Sequence, residues 1–345
     1  MNTNSETIIN IEDIKQNIEN YRTTIHALQA LVSIVTWDKS DNQILEGAQT
    51  SFGRRMDTSP NNRIMPDHYV TPDIVIQRTQ NLGYVVEAKK SLPVNQDYWQ
   101  KTVFQLLKYD DDLLGWWTND ELMETTCLIL LLHQPRSFDF RKYLEDYLDK
   151  ESIEFKNKCS IVEFNRSSEV KEFIFLRKYW GSICDESISS GLESGKDVPV
   201  EKVLVSYGEK KFYDSEPIIE YIMVILWQDL FTDMKTGVEY NEAHKAWLLN
   251  INIDDLTVEL QKLFGSESNE YREIKYPKTS WVRKAMDAFV KIKLAKKANN
   301  GKDYKVLFKY LHGDPIEKFS KHREQPDEDI GIKAEQLTFF EEKYT

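Results

Sequence analysis

Thr71-Pro72-Asp73-Ile74-Val75-Ile76, then Gly83-Tyr84-Val85-Val86-Glu87-Ala88-Lys89, is the stretch on which the reading of the chain turns. Both segments are short and rich in β-branched residues, and the polar Arg78-Thr79-Gln80-Asn81 between them predicts a hairpin. Alternate residues of a strand share a face, so Glu87 and Lys89 point together while Ala88 faces the core and offers its carbonyl. Asp73, at the mouth of the neighbouring strand, completes a set of two acids and one amine. Two carboxylates with open positions between them suit a hard cation such as Mg2+ (or Mn2+), which keeps several of its waters. Asp67 also follows a proline but has no apolar strand after it, and ranks below Asp73.

Upstream, residues 11–35 read as a helix, with Ile14, Ile18, Tyr21, Ile25, Leu28 and Leu31 at helical spacing. A weaker helical pattern covers Ile44 to Arg55 and carries Glu46, and Asp57 to Asp67 reads as a loop. Downstream come a helix from Gln96 to Leu114, a buried strand over Thr126–Leu132, a helix over Phe140–Asp149, and strands at Ile161–Phe164 and Glu172–Leu176. This order predicts an α/β domain over residues 1–180, a mixed central sheet flanked by helices. Residues 181–200 read as a linker, centred on the Ser-, Gly- and acid-containing stretch Ser187 to Asp197.

The Pro-Asp, the Glu-x-Lys and their spacing of fourteen positions resemble the signature of the PD-(D/E)xK nuclease superfamily. Gln105-Leu-Leu-Lys-Tyr109, on the helix behind Lys89, matches the QxxxY motif of its RecB-like branch. The resemblance covers roughly residues 40–135 and implies a restriction-endonuclease-like core. It implies that Asp73, Glu87 and Lys89 are catalytic, that Asp73, Glu87 and the Ala88 carbonyl hold the metal, and that Gln105 and Tyr109 steady the nucleic acid strand. In the family an acid from the first helix often adds a ligand, and Glu46 is the candidate here. The chain departs from the iron-sulfur members in lacking a cysteine cluster, and it has no phosphate-binding GxxxxGK[ST] loop.

Residues 201–322 change character. Glu216–Leu230, Ile253–Phe264 and Thr279–Leu294 read as helices, and Asn299-Asn300-Gly301 as a turn before an alternating segment. Three helices and a hairpin predict a mainly helical, winged-helix-like domain that binds DNA. The chain has a net charge of -12, yet Tyr271 to Tyr310 holds 12 Lys or Arg against 3 Asp or Glu, a local +9 that leaves −21 elsewhere. Ser280, Arg283, Lys284 and Lys291 fall on the third helix, and Lys296, Lys297, Lys302 and Lys305 on the hairpin. The acidic end, residues 323–345, reads as a flexible tail in which Gln336, Leu337, Phe339 and Phe340 resemble a sliding-clamp docking peptide; packing on its own domain is the alternative.

Cys127, Cys159 and Cys184 make no CxxC pair, and the six histidines have no ligand spacing. The first ten residues are unlike a signal peptide, and the apolar runs are too short to span a bilayer, so the expectation is a cytoplasmic protein away from membranes. The leading expectation is a metal-dependent DNA endonuclease of restriction, phage defence or repair. Alternatives are a clamp-recruited exonuclease or flap nuclease, an inactive DNA-binding regulator on the same fold, and an interaction protein. Oligomeric state is not legible, and a homodimer is one option.

Overall fold

Thr125–His133 lacks polar alternation, the mark of a strand covered on both faces. It is the central strand of a seven-stranded mixed sheet. The strands are β1 (Gln49–Phe52), β2 (Ile74–Gln77), β3 (Leu82–Lys89), β4 (Thr125–His133), β5 (Lys158–Ser167), β6 (Phe173–Gly181) and β7 (Lys196–Pro199). They lie side by side in chain order. β3, β4 and β5 are parallel, and the outer pairs are antiparallel. The parallel steps need crossovers, supplied by α2 (Gln96–Tyr109) and α3 (Gln134–Glu151). Val103, Leu106 and Leu107 of α2 and Phe140 and Leu144 of α3 pack with Val75, Val85, Leu128, Leu130 and Ile161, so both helices cover one face. The alternate residues Ile74, Ile76, Tyr84, Val86, Ile129 and Leu131 are equally buried on the other.

The computed structural model describes residues 10–38, 43–90, 92–117, 122–167, 172–236, 238–242, 245–265, 271–311 and 314–324. The chain divides into two units. The sheet unit comprises Asn20–Ser215 and Ser266–Lys275, and the second unit Met1–Glu19, Glu216–Gly265 and Tyr276–Thr345. α1 (Ile11–Thr36) starts in the second unit and continues in the sheet unit.

Two expectations change. Ile44–Arg55 is not helical: Gly47 and Gly53, at φ 79 and 73, turn the chain at both ends of β1, where a helix would need negative φ throughout. Residues 181–200 are not a linker. They form α4 (Glu186–Glu193), capped by the Asp185 carboxylate on the Ile188 N–H, and then β7, which pairs with β6 from Phe173↔Pro199 to Leu176↔Lys196. α5 (Val200–Tyr207) follows in the same unit, so the boundary falls at Ser215 and not near residue 180.

In the second unit α6 (Ile219–Ile225) passes through one π-helical turn (Leu226–Leu230) into α7 (Phe231–Met234). Then come β8 (Tyr240–Asn241), β9 (Ala246–Asn252), α8 (Ile253–Phe264), α9 (Thr279–Lys291), β10 (Ala295–Lys297), β11 (Asp303–Phe308) and α10 (Pro315–Glu324). The antiparallel sheet runs β8-β9-β11-β10. Its core centres on Trp227, with Phe308, Phe289 and Phe319 rings at 5.1, 5.4 and 5.9 Å. Among the described residues no helix is long and apolar enough to cross a membrane.

Candidate active site

The β2–β3 register pairs Val75 with Val85 and Ile74 with Val86, so one more step sets Asp73 opposite Glu87. Val75 and Val85 face α2, and strand alternation puts Asp73, Glu87 and Lys89 on that same face. Both acids are buried, Asp73 to 5% exposure and Glu87 to 2%. The Ala88 N–H donates to Asp73 Oδ2 at 2.8 Å. This N–H is the contact Ala88 makes with the acid, whereas the sequence assigned a role to its carbonyl. Lys89 Nζ donates to Glu87 Oε1. Tyr109, the last residue of α2, donates its hydroxyl to Glu87 Oε2 at 2.9 Å, and Gln105, one turn earlier, donates to the Tyr109 oxygen at 2.8 Å. The i, i+4 pair therefore ends on a candidate catalytic carboxylate.

Burial, then the facing charge of Glu87, raises the Asp73 carboxyl well above its ordinary range; Lys89 and the Ala88 N–H oppose the rise. For Lys89, burial disfavours the ammonium, but the charges of Glu87 and Asp73 outweigh it and hold the group charged, above an ordinary lysine. Such an amine neutralises and orients; it is a poor proton acceptor. Tyr109 is raised by burial and by Glu87, so it stays a donor.

Glu46 does not join the set. It sits exposed in a turn. Gln49 pairs with Gln77, and Leu45 N–H bonds the Thr36 carbonyl while Arg78 bonds that of Val35, so Glu46 belongs to the Gln77 end of β2. Asp73 precedes the other end, four residues or about 13 Å away. Asp67 is exposed in a turn with φ 52. Two residues with no signal in the sequence do approach. Buried Tyr213 feels the charge of Asp73, and the Asp214 carboxylate adds to the field on Asp73. Their segment is held by Tyr21 of α1, whose hydroxyl accepts from the Tyr213 N–H at 3.3 Å and donates to the Ser215 carbonyl at 2.9 Å. Only the tertiary fold brings them here.

In the second unit Lys284 pairs with Glu216 at 2.7 Å, Lys297 with Asp287 at 2.8 Å and Lys302 with Asp254 at 2.9 Å. Ser280, Lys284 and Lys291 share an exposed stripe of α9, and Arg283 beside it is half-buried. Gln336, Leu337, Phe339 and Phe340 lie outside the described residues. Among the described residues no group of three or more His, Cys, Asp or Glu is placed to hold a metal ion. No family model, curated protein or solved structure matches the chain.

Proposed function

We propose that the sheet unit is a metal-dependent nuclease of the PD-(D/E)xK kind, acting on DNA as an endonuclease. The observation that carries this reading is the facing of two buried acids, Asp73 and Glu87, with Lys89 bonded to one of them and Tyr109 to the same one. Two carboxylates and one ammonium leave a net charge of −1 in a buried site, which favours a cation. The donors are hard oxygens, and Mg2+ completes its shell with waters, so two acids suffice without a third side chain. Asp73, Glu87 and the Ala88 carbonyl would hold Mg2+ (or Mn2+), which when bound lowers the pKa of water and polarises the phosphate. Lys89 neutralises charge on the scissile phosphate and orients the attacking water. Tyr109 and Gln105 fix the Glu87 carboxylate.

The second unit is read as a winged helix that binds DNA. The order helix, β9, α8, α9, β10, β11 supports this, with α9 as the third helix and β10–β11 as the wing. Lys284, Lys297 and Lys302 would exchange their carboxylate partners for phosphates, at little cost for exposed pairs. Clamp docking through the tail remains a separate proposal.

The test is plasmid cleavage by the purified chain with Mg2+ or Mn2+. Lys89→Ala and Asp73→Ala are expected to reduce it by about 100-fold or more with folding intact, and Ca2+ to support DNA retention without cutting. Full activity in both variants refutes the assignment.

A further inference from the structure

A second polar cluster of the sheet unit begins one hydrogen bond from Asp73. Gly53 N–H donates to the Asp73 carbonyl at 3.2 Å, and the chain runs on into Arg54-Arg55-Met56-Asp57. Met56 and Asp57 pair with Val70 and Tyr69. Along the same backbone, Arg55 N–H bonds the Arg272 carbonyl at 2.8 Å and Ile274 N–H that of Gly53 at 3.1 Å. Three chain segments therefore meet beside the candidate active site.

Their side chains form one connected set. The Arg55 guanidinium lies over the Tyr69 ring at 4.0 Å. Arg272 donates from Nε to the Tyr271 hydroxyl at 2.9 Å and from an amino group to Asp57 at 2.7 Å. Tyr69 is 50% exposed, Tyr271 85%, and the Arg55 side chain 50%. A tyrosine exposed to that degree would ordinarily swing freely. Here its hydroxyl is fixed by an arginine that an aspartate fixes in turn, so the ring is held outward. Arg54 and Glu273 are a buried pair beside this surface, and Arg55, Arg272 and Lys275 against Asp57 leave it a local charge of 3 − 1 = +2, on a chain whose total is -12. Anchored aromatic rings among cations are what unpaired bases and their phosphates bind. A duplex hides its base faces and offers the rings little.

We propose that Tyr69, Tyr271, Arg55 and Arg272 form a stacking surface for single-stranded nucleic acid, feeding an unpaired strand toward Asp73 and Glu87. The destination rests on the nuclease reading; the binding does not. Arg55 is two residues, at most about 7 Å of chain, from the residue that bonds Asp73, so a strand seated here lies within a nucleotide or two of the acids.

The test is fluorescence anisotropy of the full chain with labelled oligothymidylate, oligouridylate and a blunt duplex, in EDTA so that no cutting intrudes. Tyr69→Ala with Tyr271→Ala is expected to weaken single-strand binding by about tenfold or more, with duplex affinity within about twofold. Tyr69→Phe, which keeps the ring under the Arg55 guanidinium, is expected to retain most binding, whereas Tyr271→Phe, which loses the hydroxyl that Arg272 fixes, is expected to bind between the parent and the double variant. The two single-strand arms separate DNA from RNA. Unchanged single-strand binding in the double variant, equal loss on the duplex, no binding by the parent chain, or competition by polyglutamate as effective as by unlabelled oligonucleotide overturns the proposal. A chain that binds single strands through these tyrosines yet never cleaves refutes the nuclease reading instead.

Discussion

Asp73 faces Glu87 from within the sheet, and its elevated ionisation range has a consequence for stability. Below the ordinary carboxyl value of 3.8 both folded and unfolded chains are protonated there, and folding incurs no charge burial. As pH rises the unfolded chain ionises freely while the folded one resists, so stability is lost toward the raised folded value. Asp73→Asn removes that penalty. In EDTA it is expected to melt above the parent at pH 7, with the difference closing below pH 3.8; thermal unfolding across pH measures this. A variant that melts lower at neutral pH would show that the carboxylate stabilises the fold.

α9 is the element on which the DNA-binding reading can be tested. Reversing Arg283 and Lys291 to Glu is expected to weaken duplex retention and flatten its salt dependence by about one unit of slope per lost phosphate contact. Filter retention at several salt concentrations reads this, and an unchanged slope would remove α9 from the interface. Elements with strong periodicity were legible in advance. Ile253–Phe264 matches its predicted bounds, Thr125–His133 shows as an apolar run, and Asp73, Glu87 and Lys89 share a face as strand alternation implied, whereas Tyr109, expected on the nucleic acid strand, bonds Glu87 and takes the Gln105 amide. What failed depended on backbone geometry or distant partners. The segment with Glu46 lacks a clear period, and its two glycines were the signal for turns. Lys196–Pro199 becomes a strand because β6 offers an edge, which its own composition does not reveal. Likewise the Lys284 and Lys302 partners lie 68 and 48 positions away.

Across the whole molecule, acid sensitivity should come from two histidines of the sheet unit. Burial first, then Arg166 for His26 and Lys90 for His133, depress both to about 4 from 6.5. A depressed histidine contributes stability above pH 6.5 that disappears as pH falls toward 4. Between pH 6.5 and 4 this opposes the Asp73 effect, so the histidine contribution is read as a difference: urea unfolding is expected to lose less stability over that window in His133→Gln than in the parent, and an identical pH dependence would discount His133. Finally, the sheet unit's borrowed stretch Ser266–Lys275 bears on biosynthesis. Arg54 has its buried ion-pair neighbour, Glu273 at 3.8 Å, more than two hundred positions downstream. During translation this unit stays incomplete until the ribosome has passed residue 275, well after its last strand has emerged. A fragment ending at Ser215 should thus be more protease-sensitive than the same residues in the intact chain, and equal resistance would mean the late stretch is dispensable. Neither unit can be released by a single backbone cut.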